Sequence, residues 1–207
     1  MIPLRDVIPC RTRPLATLGL MAGHLMAFLA LLACPATDSW PFLALLPMVS
    51  RSWLHLCANV AALWVFGGSV EDRVGHGRYV ALYAVCGVAA SASGWVAGAP
   101  AAVLMAGAGG AVAGVIGANV MLFPRSLVLV LVPTPAGLEL VEVPALIVMG
   151  FWLLAHAVGT IGALAAIGAH PSAALWLEPM VGGAAGALVV LVLRQPERLR
   201  VEWWDGV

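Results

Sequence analysis

The stretch LMAGAGGAVAGVIGANVMLF, residues 104–123, decides the fold because it carries no charge and is long enough to cross a bilayer. Four of its glycines recur at intervals of three, four and three residues, which places them on one face of an α-helix. A face without side chains lets a neighbouring helix approach closely, and close backbone contact holds helices together in lipid. The pattern therefore predicts a helix at the centre of a bundle, packed through Gly107, Gly110, Gly114 and Gly117.

The composition of the 207-residue chain excludes a soluble globular protein. Hydrophobic residues make up 62% of the chain, charged residues make up 10%, and the mean hydropathy is +1.01. Soluble globular proteins have about 25% charged residues. The length suits one domain of about six spans, since each span needs roughly 20 apolar residues. The formal net charge is zero, so nothing indicates a nucleic-acid partner. The sequence predicts an integral membrane protein in contact with the lipid bilayer.

Six apolar segments follow one another along the chain. They lie at residues 15–34, 53–70, 79–98, 104–123, from about 143 onward, and 179–193. Glu139 and Glu142 exclude the segment between spans four and five from the hydrocarbon core, and Glu178 is placed in the loop before span six. The predicted organisation is an N-terminal cytoplasmic segment (1–14), a six-span membrane domain (15–194) and a cytoplasmic tail (195–207).

The arginines predict how this domain is oriented. The chain has ten arginines and no lysine, and in a six-span arrangement nine arginines fall on one side, with only Arg51 opposite. Positive residues are enriched on the cytoplasmic side of membrane proteins. Both termini are therefore predicted to be cytoplasmic.

Ionisable groups at membrane depth are candidate functional residues, because burying them in lipid is costly. Span two carries His55 and Asn59, four residues apart and hence on one helix face. This pair could stabilise an oxyanion, or it could form hydrogen bonds between helices that fix the bundle. His24 and His156 are also embedded and are expected to form structural hydrogen bonds; a three-histidine metal or haem site is the weaker alternative. The remaining histidines are assigned to loops: His76 and His170.

The cysteines show no metal-ligand spacing and no disulfide framework. Two of the four lie inside predicted spans and a third is the last residue of span one, and the thiols are interpreted as buried and inert. The sequence thus predicts no metal and no cofactor. The cysteines are Cys10, Cys34, Cys57 and Cys86.

Several motifs in order resemble the bacterial rhomboid family of intramembrane serine proteases. The resemblance rests on MVSRSWLHLCANVAALWVFGGSVEDRVGHGRYVALYAVCGVAA (residues 48–90), on the glycine helix, and on FPR, LVLV and VEVPALIVMGFW after it. It extends over residues 48–193 and implies an all-α, six-helix rhomboid-like bundle. In that family, span two bears a His-x-x-x-Asn pair, which falls on His55 and Asn59 here. Span four bears the nucleophile in Gly-x-Ser-Gly, and span six bears the catalytic histidine just before a Gly-Gly pair.

The chain departs from the family at both catalytic positions. Gly109 stands where the motif has serine, and Met180 stands where the family has histidine. A serine–histidine mechanism needs a hydroxyl activated by an imidazole, and neither is retained. The resemblance therefore implies an inactive member, with His55 and Asn59 as the surviving oxyanion-type pair.

The small-residue faces of spans four and six are retained. In the family these two spans pack together. A fold that is retained while the catalytic serine and histidine are lost is typical of a binding protein. Span six contributes to this predicted packing with Gly182, Gly183 and Gly186.

The expected function is binding of transmembrane helices of partner proteins in a bacterial cytoplasmic membrane. The protein would serve as an accessory subunit of a larger membrane complex or as a client regulator, and the shortness of its loops favours a subunit. The alternative is an active protease with unorthodox residues, for which Ser50 and Ser52 lie near the site but lack a second histidine as base. A small-molecule carrier is disfavoured, because no predicted span has a charged residue at mid-membrane.

Overall fold

The computed structural model describes residues 2–6, 8, 12–33, 48, 50, 52–96, 108–134, 137–166 and 174–194. These residues form mainly long helices. The helices are α1 (Leu15–Ala33), α2 (Trp53–Val74), α3 (His76–Val96), α4 (Ala108–Leu122), α5 (Ala145–Ala166) and α6 (Ala174–Leu193).

Two of the described helices, α1 and α2, are long and apolar enough to cross a membrane. Shorter apolar helical stretches occur in the described parts of the later helices. They are Ala108–Leu122, Ala145–Val158 and Leu177–Leu193. The count of six crossings and the side on which the termini lie remain predictions.

Helix α4 lies at the centre of the helical bundle, where the glycine spacing predicts it. Residues 108–116 of α4 are all buried, and its most extensive contact is with α6, followed by α3. Glycines of α4 and α6 meet backbone to backbone, so that a Cβ added to one would touch or overlap the other helix. The closest pairs are Gly110 with Gly182, Gly114 with Gly186, and Gly117 with Gly183. Gly107 lies outside the described residues.

The segment between α4 and α5 is a β-hairpin, which the sequence analysis did not predict. Strands β2 (Leu127–Thr134) and β3 (Gly137–Pro144) pair antiparallel, and β1 (Ile2–Asp6) pairs with the other edge of β2. Val128, Val130 and Val143 are buried against the bundle. Since β1 precedes α1 and β2 follows α4, the chain's beginning and the α4–α5 connection lie at the same end of the bundle.

Helix α2 extends through the charged run that was predicted to end span two. It contains a π-helical stretch, Leu63–Gly67, and continues to Val74. The Glu71 carboxylate is buried because it accepts the backbone N–H groups of Ala16 and Thr17, at 2.9 and 2.7 Å, and the Thr17 hydroxyl at 2.6 Å. A carboxylate satisfies the free N–H groups at the start of a helix and complements its dipole. Glu71 therefore joins α2 to α1, and His76 contacts it at the start of α3.

The predicted start of span six was also wrong. Helix α6 begins at Ala174, so Glu178 lies inside the helix rather than in a loop before it. Its side chain is buried against Gly94 of α3, where there is no Cβ to exclude it.

Candidate functional site

Helix α2 presents His55 and Asn59 to the interior of the bundle. Ser52 caps the start of the helix, and its hydroxyl oxygen accepts the backbone N–H of His55 at 3.1 Å. His55 is 1% exposed, and Asn59, one turn later, is fully buried. The side-chain amide of Asn59 donates to the Ser50 hydroxyl at 3.4 Å. The predicted pair thus faces inward on one side of α2.

The imidazole of His156, on α5, lies directly against Gly109 of α4. A Cβ built on Gly109 would overlap the His156 ring and would lie 2.7 Å from both ring nitrogens. Real Cβ atoms do not approach other heavy atoms this closely, so the space into which a serine side chain would project is filled. The residue type at Gly109 and the position of His156 are therefore linked.

His156 also connects α5 to α2 through ring contacts. Its imidazole lies edge-to-face with His55, with ring centroids 4.5 Å apart and an interplanar angle of 69°. The His156 ring also stacks on Trp152, with centroids 5.3 Å apart and an interplanar angle of 24°. The three rings form a buried cluster between α2, α4 and α5, which we call the His55–His156–Trp152 cluster.

Several buried polar atoms of this region have no hydrogen-bond partner among the described residues: His55 Nε2, Asn59 Oδ1 and Trp152 Nε1. A buried polar group left unsatisfied costs roughly 1–3 kcal/mol. These atoms present donors and acceptors that could bind water or the polar groups of another molecule. These three atoms are the polar groups that the site offers for binding.

Met180, predicted to stand at the histidine position, is mostly exposed. Its side chain is 69% exposed and lines a groove of about 330 Å³ between α5 and α6. The preceding residue, Pro179, is buried, and successive side chains on a helix are about 100° apart. The exposed position of Met180 gives no support to its assignment beside Gly109, and the buried Pro179 has no imidazole.

The structure also describes His24 and two of the cysteines. His24 is buried and hydrogen-bonds through Nε2 to the Tyr83 hydroxyl at 2.7 Å, which joins α1 to α3. No group of three or more histidine, cysteine or acidic residues that could hold a metal occurs within the described residues. Cys57 is exposed on the outer face of α2, contrary to its predicted burial, whereas Cys86 is buried. His170, Cys10 and Cys34 lie outside the described residues.

From the sequence, His156 was predicted only to be an embedded histidine, and its contact with Gly109 was not predicted. The two residues lie on different helices, and no motif spacing relates them. The contact arises from the packing of α5 on α2 and α4. No signal within a single sequence could have found it.

The described fold and site define a helical membrane protein whose central helix packs through glycines and borders a buried polar cluster. Residues 37–196 match the Rhomboid domain, and the chain belongs to the rhomboid family. No curated protein and no solved structure matches the chain.

Proposed function

We propose that this rhomboid-family membrane protein is not a protease and that it binds transmembrane helices of partner proteins. The observation that carries the proposal is the contact of His156 with Gly109. The position of the family's nucleophile has no side chain, and an imidazole from α5 fills the space beside it. Acyl transfer to the protein needs a nucleophile and a base within reach of each other.

The hydroxyl and thiol groups described near the site are poor replacements for the missing serine. The Ser50 hydroxyl accepts a hydrogen bond from Asn59, and the Ser52 hydroxyl caps α2. Cys57 faces outward, and Cys86 packs against Gly114 on the far side of α4. The active-protease alternative is disfavoured for this reason.

A cleft between α2 and α5 is the surface that we propose for a partner helix. It has a volume of about 300 Å³ and is lined by apolar side chains, with small residues on the α2 side. Helices associate in lipid through small residues that permit close approach. The lining includes Ala58, Ala61, Ala62, Ile147, Phe151 and Ala155.

The proposed location is the cytoplasmic membrane of a bacterium, with six crossings and both termini in the cytoplasm. The β1–β2 pairing supports an even number of crossings between these strands, because it holds residues 2–6 at the same end of the bundle as the connection after α4. The Arg78 guanidinium donates to the carbonyl of Leu193 at 3.3 Å, which brings the arginines after α2 and α6 to one end as well. Clustered arginines are typical of the cytoplasmic side.

Purification in a mild detergent tests the binding proposal and separates its two forms. A permanent subunit should elute with a stoichiometric membrane-protein companion, whereas a client regulator should yield partners only after cross-linking in the membrane. Ala58→Phe, which fills the cleft, should lower the recovered partner about tenfold. Met26→Phe adds bulk to the exposed face of α1 and should leave recovery unchanged. Equal recovery with both variants, or no partner by either method, would contradict the proposal.

A further inference from the structure

We propose that the outer edge of strand β3, the side of the strand away from β2, binds an extended basic segment of a partner protein as an added β-strand. Among the strands that the structure describes, β3 pairs on one side only, with β2. The segment would be one that borders a transmembrane helix of the partner. The inference rests on the proposed function for the source of that segment, and it adds a second contact outside the α2–α5 cleft.

The backbone of β3 offers a regular edge for pairing. All eight residues of β3 pair with β2 in one unbroken register, whereas the register of β1 on β2 shifts. Pro133 lies opposite Leu138 and has no N–H, so this pair is of the kind that exchanges no hydrogen bonds. Such pairs alternate along an antiparallel ladder. Leu138, Leu140 and Glu142 therefore direct their backbone N–H and C=O groups toward the outer edge, where a further strand could accept and donate hydrogen bonds.

The side chains of β3 are exposed along nearly the whole strand. Only Val143 among its eight residues is buried. Leu138 and Leu140 are 70% and 59% exposed, on a strand that its two glutamates are predicted to keep out of the hydrocarbon core. Proteins commonly protect a sheet edge with a bulge, a proline or a very short strand, and β3 has a proline only at its last position. A long regular edge with exposed leucines favours the addition of another strand.

The charges of β3 indicate the chemistry of the added strand. Glu139 and Glu142 are both exposed, and β3 contains no basic residue. Opposite charges on paired strands stabilise the pairing, and like charges directly opposite destabilise it. The complementary segment has two basic residues three positions apart. Basic residues are enriched beside the cytoplasmic ends of transmembrane helices, which makes such segments common in membrane proteins.

The same charges disfavour the other occupants of this edge. A second copy of the chain, paired through β3, would bring the glutamates of both copies together at one interface. An anionic lipid surface attracts basic segments and repels acidic ones. A basic protein segment is therefore the occupant that fits.

Peptide binding to the whole protein in nanodiscs of phosphatidylcholine tests the charge complementarity. The probe is a fluorescent octapeptide of threonine and valine with two arginines three positions apart, and the control peptide has glutamates in place of the arginines. Fluorescence anisotropy should show that the parent protein binds the arginine peptide at least about tenfold more tightly, and Glu139→Arg with Glu142→Arg should reverse the preference. Binding no stronger than to empty nanodiscs, or a preference that the double substitution leaves unchanged, would overturn the proposal.

A backbone substitution tests whether the peptide binds as a strand. Leu140→Pro removes an N–H that is directed to the outer edge and not to β2, so the melting temperature should stay within about 3 °C of the parent. Affinity for the arginine peptide should fall about tenfold or more. Leu140→Ala keeps the N–H and should stay within about threefold of the parent. Equal affinities of the two variants would show binding by charge or side chain without strand pairing, which contradicts the proposal.

The outcome can be separated from that of helix binding. The peptides contain no transmembrane helix, so a failure of peptide binding overturns the β3 proposal alone, and a failure to recover a membrane-protein companion leaves the peptide result standing. Size-exclusion chromatography of the same samples identifies self-association. A parent dimer that Leu140→Pro converts to a monomer would show that a second copy occupies the edge, and it would overturn the proposal.

Discussion

Replacement of Gly186 with alanine is expected to lower the melting temperature by about 6–12 °C or to prevent folding. A methyl group at this position of α6 would overlap the backbone of Gly114 on α4. Backbone atoms cannot rotate away as a flexible side chain can, so the two helices would have to separate along their most extensive contact. Thermal unfolding in detergent, followed by circular dichroism, measures the effect.

The matched control is Gly150→Ala on α5. No atom lies within 4 Å of a Cβ at Gly150, so this variant makes the same chemical change without a steric conflict. Alanine favours a helix by up to about 1 kcal/mol relative to glycine, so the melting temperature should stay level or rise by about 2–4 °C. Similar results for the two variants would show that α4 and α6 do not meet through these glycines.

Replacement of Glu71 with glutamine is expected to lower the melting temperature by about 5–10 °C. The carboxylate accepts two backbone N–H groups and one hydroxyl at the start of α1, and an amide cannot accept all three with the same charge. The loss leaves buried donors at the α1 terminus unsatisfied. Thermal unfolding again measures the change.

Glu142→Gln provides the control for Glu71, since Glu142 is exposed on β3. Surface substitutions of this kind usually change stability by less than about 0.5 kcal/mol, which corresponds here to about 2 °C or less. If Glu71→Gln were as mild as this control, the Glu71 carboxylate would not be the group that anchors α1 to α2.

The central packing could be predicted from the sequence because it depends on a local repeat. The intervals between Gly110, Gly114 and Gly117 place these residues on one helix face. A face without side chains on an apolar helix commonly packs closely against another helix. The hairpin could not be predicted in the same way. The run LVLVLV is apolar without interruption, and such a run does not distinguish a strand from a buried helix.

The errors at helix ends have a common physical cause. Glu71 and Glu178 were interpreted as residues that stop a span, because isolated charges are costly in lipid. Glu71 is accommodated by the start of α1, and Glu178 occupies the space left by Gly94. Both accommodations are tertiary contacts between distant segments, and they are not visible in a single helix.

The candidate site was predictable at Gly109, His55 and Asn59, where short motifs set the register. The part of the site on α6 could not be predicted in this way. An assignment that is wrong by one residue rotates the side chain by about 100° around the helix, and Met180 is mostly exposed. The contact of His156 with Gly109 could not be predicted, because it depends on how α2, α4 and α5 pack together. The motif therefore selected Gly109 as the proposed nucleophile position, but it did not predict that the His156 side chain packs against this residue.

We propose that the chain has lost proteolysis while keeping a rhomboid scaffold. The most direct test is incubation of the purified protein in liposomes with model transmembrane substrates, alongside an active rhomboid protease and the His55→Ala variant. We expect no cleavage above background, no labelling by a serine-directed fluorophosphonate, and no difference between the parent and His55→Ala. Cleavage by the parent protein that His55→Ala abolishes would contradict it.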